Sequence, residues 1–168
     1  MRLNFKPVLS SLVLCACLPW LFASPGAAGD YLALEGVTAV KTIFDVRDGK
    51  PESALVHLQL LHDTYKDQAI RKASSRPDFV VVFMGPSVKL LSSNRESFSP
   101  EQRKTLEKVD LLLSAMAKDG IRLEMCLFAA NFFHVDPKTV SSQLAPVGNG
   151  WISEIGYQAK GYSLVPIY

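Results

Sequence analysis

The stretch RLEMCLFAANFFHV, residues 122–135, sets a cysteine between an apolar run short enough to be a strand and an apolar run that goes on too long to continue it. Cysteine reacts as its thiolate, a nucleophile and a carrier of sulfur, whereas a free thiol with an ordinary pKa of about 8.5 is mostly protonated at neutral pH. If the strand ends near Met125, Cys126 falls at the first turn of the next helix. There, unpaired backbone N–H groups and the positive end of the helix dipole favour a negative charge. The opposing reading is equally physical. Cysteine is among the most buried residue types, and Met, Leu, Phe and Ala surround this one, a setting that disfavours the charged form.

Other residues gain interest only if the fold brings them to the same place. The chain alternates two apolar patterns. TAVKTIFDV (38–46) reads as a strand and residues 51–73 as a helix, with Pro51 in its first turn and Leu58, Leu61, Tyr65 and Ala69 on one face. DFVVVFMG (78–85) is a continuous β-branched run, the look of a strand covered on both faces and therefore central. Residues 99–120 form the firmest helix: Ser99 as N-cap, Pro100 next, Gln102 completing a capping box, and Gly120 as the stop, with Leu106, Val109, Leu113 and Met116 as its buried stripe.

IRLEM (121–125) is a third strand, and the segment after Cys126 a short, strongly buried helix ended by Asp136 and Pro137. DPKTVSSQL adds a helical turn or two, APVGN a fourth strand, GWISEIGYQAK a helix and YSLVPI a last strand. Strands alternating with helices predict an α/β fold, a parallel sheet flanked by helices on both sides. In such a sheet ligands meet the carboxyl ends of the strands. Those ends supply Asp45 and Arg47, then Gly85, Pro86 and Ser87, then Cys126, then Gly148, Asn149 and Gly150. Asp45 and Arg47 either orient an anionic ligand or pair with each other, and the pairing is the plainer expectation.

The N-terminus has Arg2 and Lys6, an uncharged apolar stretch of 15 residues from Val8 to Phe22, then small residues to Ala28. That order predicts a secretory signal peptide over residues 1–28, cleaved after Ala28, and a periplasmic or secreted product. The stretch falls short of the roughly 20 apolar residues that span a bilayer, and Pro19 interrupts it. A rival reading makes Leu14–Cys17 a lipobox with Cys17 as a lipidated N-terminus, although Cys15 stands where a small or β-branched residue is usual.

Residues 29–168 are then one domain. Loss of the leader removes two positive charges and no negative ones, taking the formal balance from +2 to zero. No basic cluster remains to suggest nucleic acid or an anionic membrane as partner. Cys126 becomes the lone thiol, which excludes an internal disulfide and leaves a buried thiol, a reactive thiol or an intermolecular bridge.

The C-terminal stretch from Met125 to Tyr168 resembles the DsrE/DsrF-like family through an ordered set: Cys126 after a strand, Ala129, the Val147 and Gly150 step, then Gln158, Gly161 and Tyr162 before the last strand. Gly85 extends the likeness to the second strand. The resemblance implies a three-layer α/β/α sandwich on a mostly parallel five-stranded sheet, association as trimers or hexamers, and sulfur carried as a persulfide on the residue matching Cys126. The relay proteins of that family are cytoplasmic, so an export signal leaves the sulfur donor and acceptor open.

His57 and His62 lie five apart on one helix and point to different sides, which makes a shared metal improbable. His134 is read as a structural imidazole before a proton carrier. The GNG at 148–150 lacks the spacing of a dinucleotide fingerprint, so its glycines are read as turn residues and no cofactor is expected. Phe128, Phe132, Phe133 and Trp151 suit either the interior of the domain or a subunit interface. Two functional classes compete: a sulfur carrier or sulfurtransferase working through Cys126, and a non-catalytic oligomeric binding protein in which Cys126 is structural.

Overall fold

The structure, a computed structural model, describes residues 31–168, and the leader read over residues 1–28 lies outside the described residues. Five strands form one sheet: β1 (Lys41–Val46), β2 (Asp78–Phe83), β3 (Arg122–Cys126), β4 (Leu144–Val147) and β5 (Ser163–Ile167). Their order is β4-β3-β2-β1-β5, and every pair is parallel. The chain steps one way from β1 to β4 and then returns past β1 to place β5. Right-handed crossovers put helices of opposite steps on opposite faces. The helices α1 (Pro51–Lys66) and α3 (Pro100–Lys118) pack together on one face, and α5 (Gly150–Ala159) lies across β1, β2, β3 and β5 on the other. This is the three-layer α/β arrangement anticipated, with all its strands parallel.

The central strand β2 is built from Phe79, Val80, Val81, Val82 and Phe83, each at most 2% exposed, which is why that run needed no polar alternation. Side chains alternate across the sheet. Phe79 packs edge-on against Tyr65 of α1, whereas Glu124 of β3 turns to the α5 face and accepts hydrogen bonds there from Tyr157 (2.6 Å) and Ser153. Burial of each large aliphatic side chain in this core contributes about 1.5–3 kcal/mol.

The capping box of α3 is present, with the Ser99 hydroxyl accepting from Gln102 N and the Gln102 side chain accepting from Ser99 N. Two expectations change. The helix read over 51–73 breaks at Asp67, whose carboxylate accepts from Ala69 N and starts a separate α2 (Gln68–Ala73). The helix after Cys126, α4 (Leu127–Phe132), is not strongly buried: Ala129 and Ala130 face inward while Phe128 and Phe132 are about 70% exposed. It ends at Phe132, before Asp136, where Phe133 N donates to Ala129 O, His134 takes a left-handed φ of 56° and Val135 N donates back to Ala130 O. The turn expected over DPKTVSSQL is a single 3-10 turn at Pro137–Thr139, and another, unanticipated 3-10 segment runs from Gly85 to Leu91. Among the described residues no helix is long and apolar enough to cross a membrane.

Candidate functional site

The carboxyl ends of four strands surround a cleft of ≈ 360 Å³. Arg47 reaches it from the end of β1, Met84 and Gly85 from β2, Cys126 from β3, and Asn149 from the loop after β4; Phe128, Ala129, Phe132, Phe133 and Trp151 complete the lining. Gly85 has φ 54°, a left-handed conformation that a side chain would strain, and it turns the chain beneath Arg47.

Cys126 is 4% exposed and forms part of the cleft wall. It ends β3 and is also the N-cap of α4. Its sulfur accepts from Ala129 N at 3.4 Å and from Gly150 N at 3.2 Å. The second donor was not anticipated. α4, at six residues, offers little cooperative dipole, but the sulfur also faces the first residue of the ten-residue α5. The two helix starts are tied together by Phe128 N donating to Gly148 O at 3.1 Å. Gly150 is required by closeness: a Cβ there would lie 2.6 Å from Met84 Cγ and 3.3 Å from Cys126 Cβ.

A charged group lines the same cleft. Arg47 Nε donates to both oxygens of Asp45 (3.0 and 2.8 Å), and Asp45 is 3% exposed while a third of the Arg47 side chain remains open. The pairing read from sequence is therefore present, and it occupies one edge of the guanidinium. Glu154, reaching down from α5, faces the same pair. It is 7% exposed, and its Oε1 is enclosed with no hydrogen-bond partner. Burial, reinforced by the charge of Asp45 and opposed by Arg47, pushes the Glu154 carboxyl up to about 7.

The remaining expected residues separate. Asn149 lines the cleft and also caps α5 through Trp151 N at 3.0 Å. Ser87 does not reach the cleft: it is fully buried, and its one hydroxyl proton is shared between the carbonyls of Val46 (2.7 Å) and Met84 (2.8 Å), locking the ends of β1 and β2. His62 is buried against Asp119 at 2.7 Å, and His57 sits 3.2 Å from Asp48, so the two histidines serve different partners. His134, in left-handed backbone at φ 56°, is not part of the cleft lining. Among the described residues no three His, Cys, Asp or Glu side chains cluster as metal ligands would. Met84 and Glu154 were not singled out from sequence, and Ala129 entered only through the resemblance. Only Glu154 had a signal, as the charged residue four after Gly150 on an otherwise apolar helix.

No family model matches the chain. An uncharacterized protein of Aquifex aeolicus (strain VF5) is 25% identical over 167 residues, covering 98% of this chain and 67% of its own length. The structure of MTH1491, a protein of unknown function from Methanobacterium thermoautotrophicum, aligns with a TM-score of 0.59 and 13% identity over 76% of this chain and 98% of its own. The ychN protein of E. coli aligns at a TM-score of 0.46 and 14% identity, over 78% and 99% of the two chains. The likeness to MTH1491 shows the fold, a five-stranded parallel α/β sheet flanked by helices.

Proposed function

We propose that this chain is an exported member of the DsrE/DsrF-like family that carries sulfane sulfur as a persulfide on Cys126. The observation that carries the reading is the sulfur in the wall of a cleft, receiving one N–H from each of two helix starts. Amide donors of this kind hold a thiolate better than a neutral thiol. In the step, the Cys126 thiolate attacks the outer sulfur of a donor. A new S–S bond forms at Sγ, the donor's S–S bond breaks, and its electron pair departs with the donor's inner sulfur. A partner thiolate then takes the outer sulfur and returns Cys126 to the thiolate.

Incubation with a polysulfide or thiosulfate is expected to add the mass of one sulfur to the intact protein, and Cys126→Ser to abolish it. Absence of the adduct with every donor tried would leave the non-catalytic binding reading, which the small exposure of the sulfur favours.

The homo-oligomer implied by the resemblance has its support in α5, whose polarity is inverted. Ser153, Glu154 and Tyr157 face the sheet or its margin, while Trp151, Ile152 and Ile155 are each at least 60% exposed, with Phe128 and Phe132 similarly open on α4. Contiguous apolar surface of this kind marks association sites. Light scattering is expected to give a trimer or hexamer mass, and the double substitution Ile152→Asp, Ile155→Asp to give the monomer. A wild-type monomer at high protein concentration would refute the interface.

A further inference from the structure

Resting on the sulfur-carrier reading, we infer that the cleft takes a sulfane donor bearing an oxyanion head, a thiosulfate or thiosulfonate, with Arg47 gripping that head while Cys126 attacks the sulfur beside it.

The guanidinium presents five N–H donors in a planar fork that matches two oxygens at once. Its Nε edge is fixed by both oxygens of Asp45, which is itself buried at the end of β1, so the group is held in one orientation. The Nη edge remains available, and Arg47 lines the same cleft as Cys126. Among the described lining residues Arg47 is the one that carries a charge, with the Asp45 carboxylate paired to its Nε edge and Glu154 facing that pair. The other walls are largely aromatic, from Phe128, Phe132 and Trp151. Asp45 offsets the charge of Arg47, so what the site offers an oxyanion is chiefly the free Nη hydrogen bonds of the fork, which are stronger beside apolar walls than in open water. The volume of ≈ 360 Å³ lies at the small end of the roughly 300–1,000 Å³ typical of small-molecule sites. That size suits a compact donor and not a folded protein domain.

The chemistry gives Arg47 work to do as well as a ligand to hold. When the Cys126 thiolate attacks the outer sulfur of thiosulfate, one S–S bond forms and one breaks. Sulfite leaves with the electron pair, the persulfide keeps one negative charge, and the total charge is unchanged with no external oxidant or reductant. The leaving sulfite gathers charge on its oxygens, where the Nη groups would sit, so the cation stabilises the departure as well as the arrival. An alkyl persulfide, whose leaving group is a thiolate without oxygens, offers Arg47 nothing to grip in this way.

The test measures rates of single-sulfur addition to the purified protein by intact mass, with sodium thiosulfate as one donor and an alkyl persulfide lacking any oxyanion group as the other. In Arg47→Met the preference for thiosulfate over the alkyl persulfide is expected to fall at least about tenfold, and Arg47→Lys, which keeps the charge but loses the fork, to fall in between. Because Arg47→Met leaves Asp45 buried without a partner, the double variant Asp45→Asn, Arg47→Met is read alongside it, each checked for native near-ultraviolet circular dichroism. An unchanged preference in the folded variants, or a wild type that loads from the alkyl persulfide but not from thiosulfate, overturns the oxyanion site and leaves the carrier intact. A wild type that loads from neither donor overturns both.

Discussion

Glu154→Gln should be more stable than the wild type at about pH 8 by roughly 3 kcal/mol and nearly equal to it at about pH 5. The cause is the buried carboxyl, raised from its ordinary 4.5 to about 7 first by burial and then by the neighbouring charge of Asp45, with Arg47 pulling the other way. A raised carboxyl pKa means that the folded chain holds its proton more tightly than the unfolded chain. Stability is therefore untouched below the unfolded value of 4.5, falls by about 1.4 kcal/mol per pH unit as pH rises beyond it, and levels off above about 7. Glutamine has nearly the same shape and no charge to desolvate, so the decline should flatten. The carboxylates held low act in the opposite window. Asp119, whose hydrogen bond from His62 keeps its carboxyl below the usual range, contributes stability that is lost as pH falls through its folded pKa, and Glu154→Gln leaves that limb alone. Urea melts across this range decide the matter. Parallel curves for variant and wild type would mean that Glu154 is ionised in both folded and unfolded chains.

The same helix shows what could and could not be read from the residues. Local signals were legible where one element suffices to decide them. Ser99, Pro100 and Gln102 fix the start of α3 through hydrogen bonds spanning three residues, and the β-branched run of β2 declares a strand buried on both faces. The placement of Cys126 at a strand end followed from the same kind of evidence. What escaped needed the sheet order. The N–H of Gly150 reaches Cys126 across 24 residues of chain, and only the adjacency of β3 and β4 brings those two ends together. Asp67 splitting α1 from α2 turned on a side chain competing with the backbone for an amide, which periodicity cannot register. Ser87 looked like a ligand-facing residue because it follows a strand, but the 3-10 turn of Gly85–Leu91 rolls it inward onto two carbonyls. The aromatics of α4 stayed open between the interior and an interface, because hydrophobicity alone cannot distinguish a core from a surface awaiting a partner.

Gly150→Ala should destabilise the protein by about 1–3 kcal/mol and slow sulfur loading of Cys126, because the added methyl has no room. It would sit 2.6 Å from Met84 Cγ and 3.3 Å from Cys126 Cβ, so either Met84 swings into the cleft or the start of α5 lifts away. Lifting α5 lengthens the 3.2 Å contact from Gly150 N to the sulfur and removes one of its two amides; swinging Met84 obstructs the approach of a donor. Met84→Ala separates these effects. Met84 is 4% exposed, so its truncation alone opens a cavity at a cost of about 2–5 kcal/mol. In the double variant the new methyl fills part of that space, and the combined destabilisation should fall short of the sum of the two single ones by at least about 1 kcal/mol. Loading should recover with it, since α5 can settle back onto the sulfur. Strict additivity in stability would mean that Gly150 and Met84 do not meet. Restored stability without restored loading would mean that the second amide is a packing contact rather than part of the chemistry of Cys126.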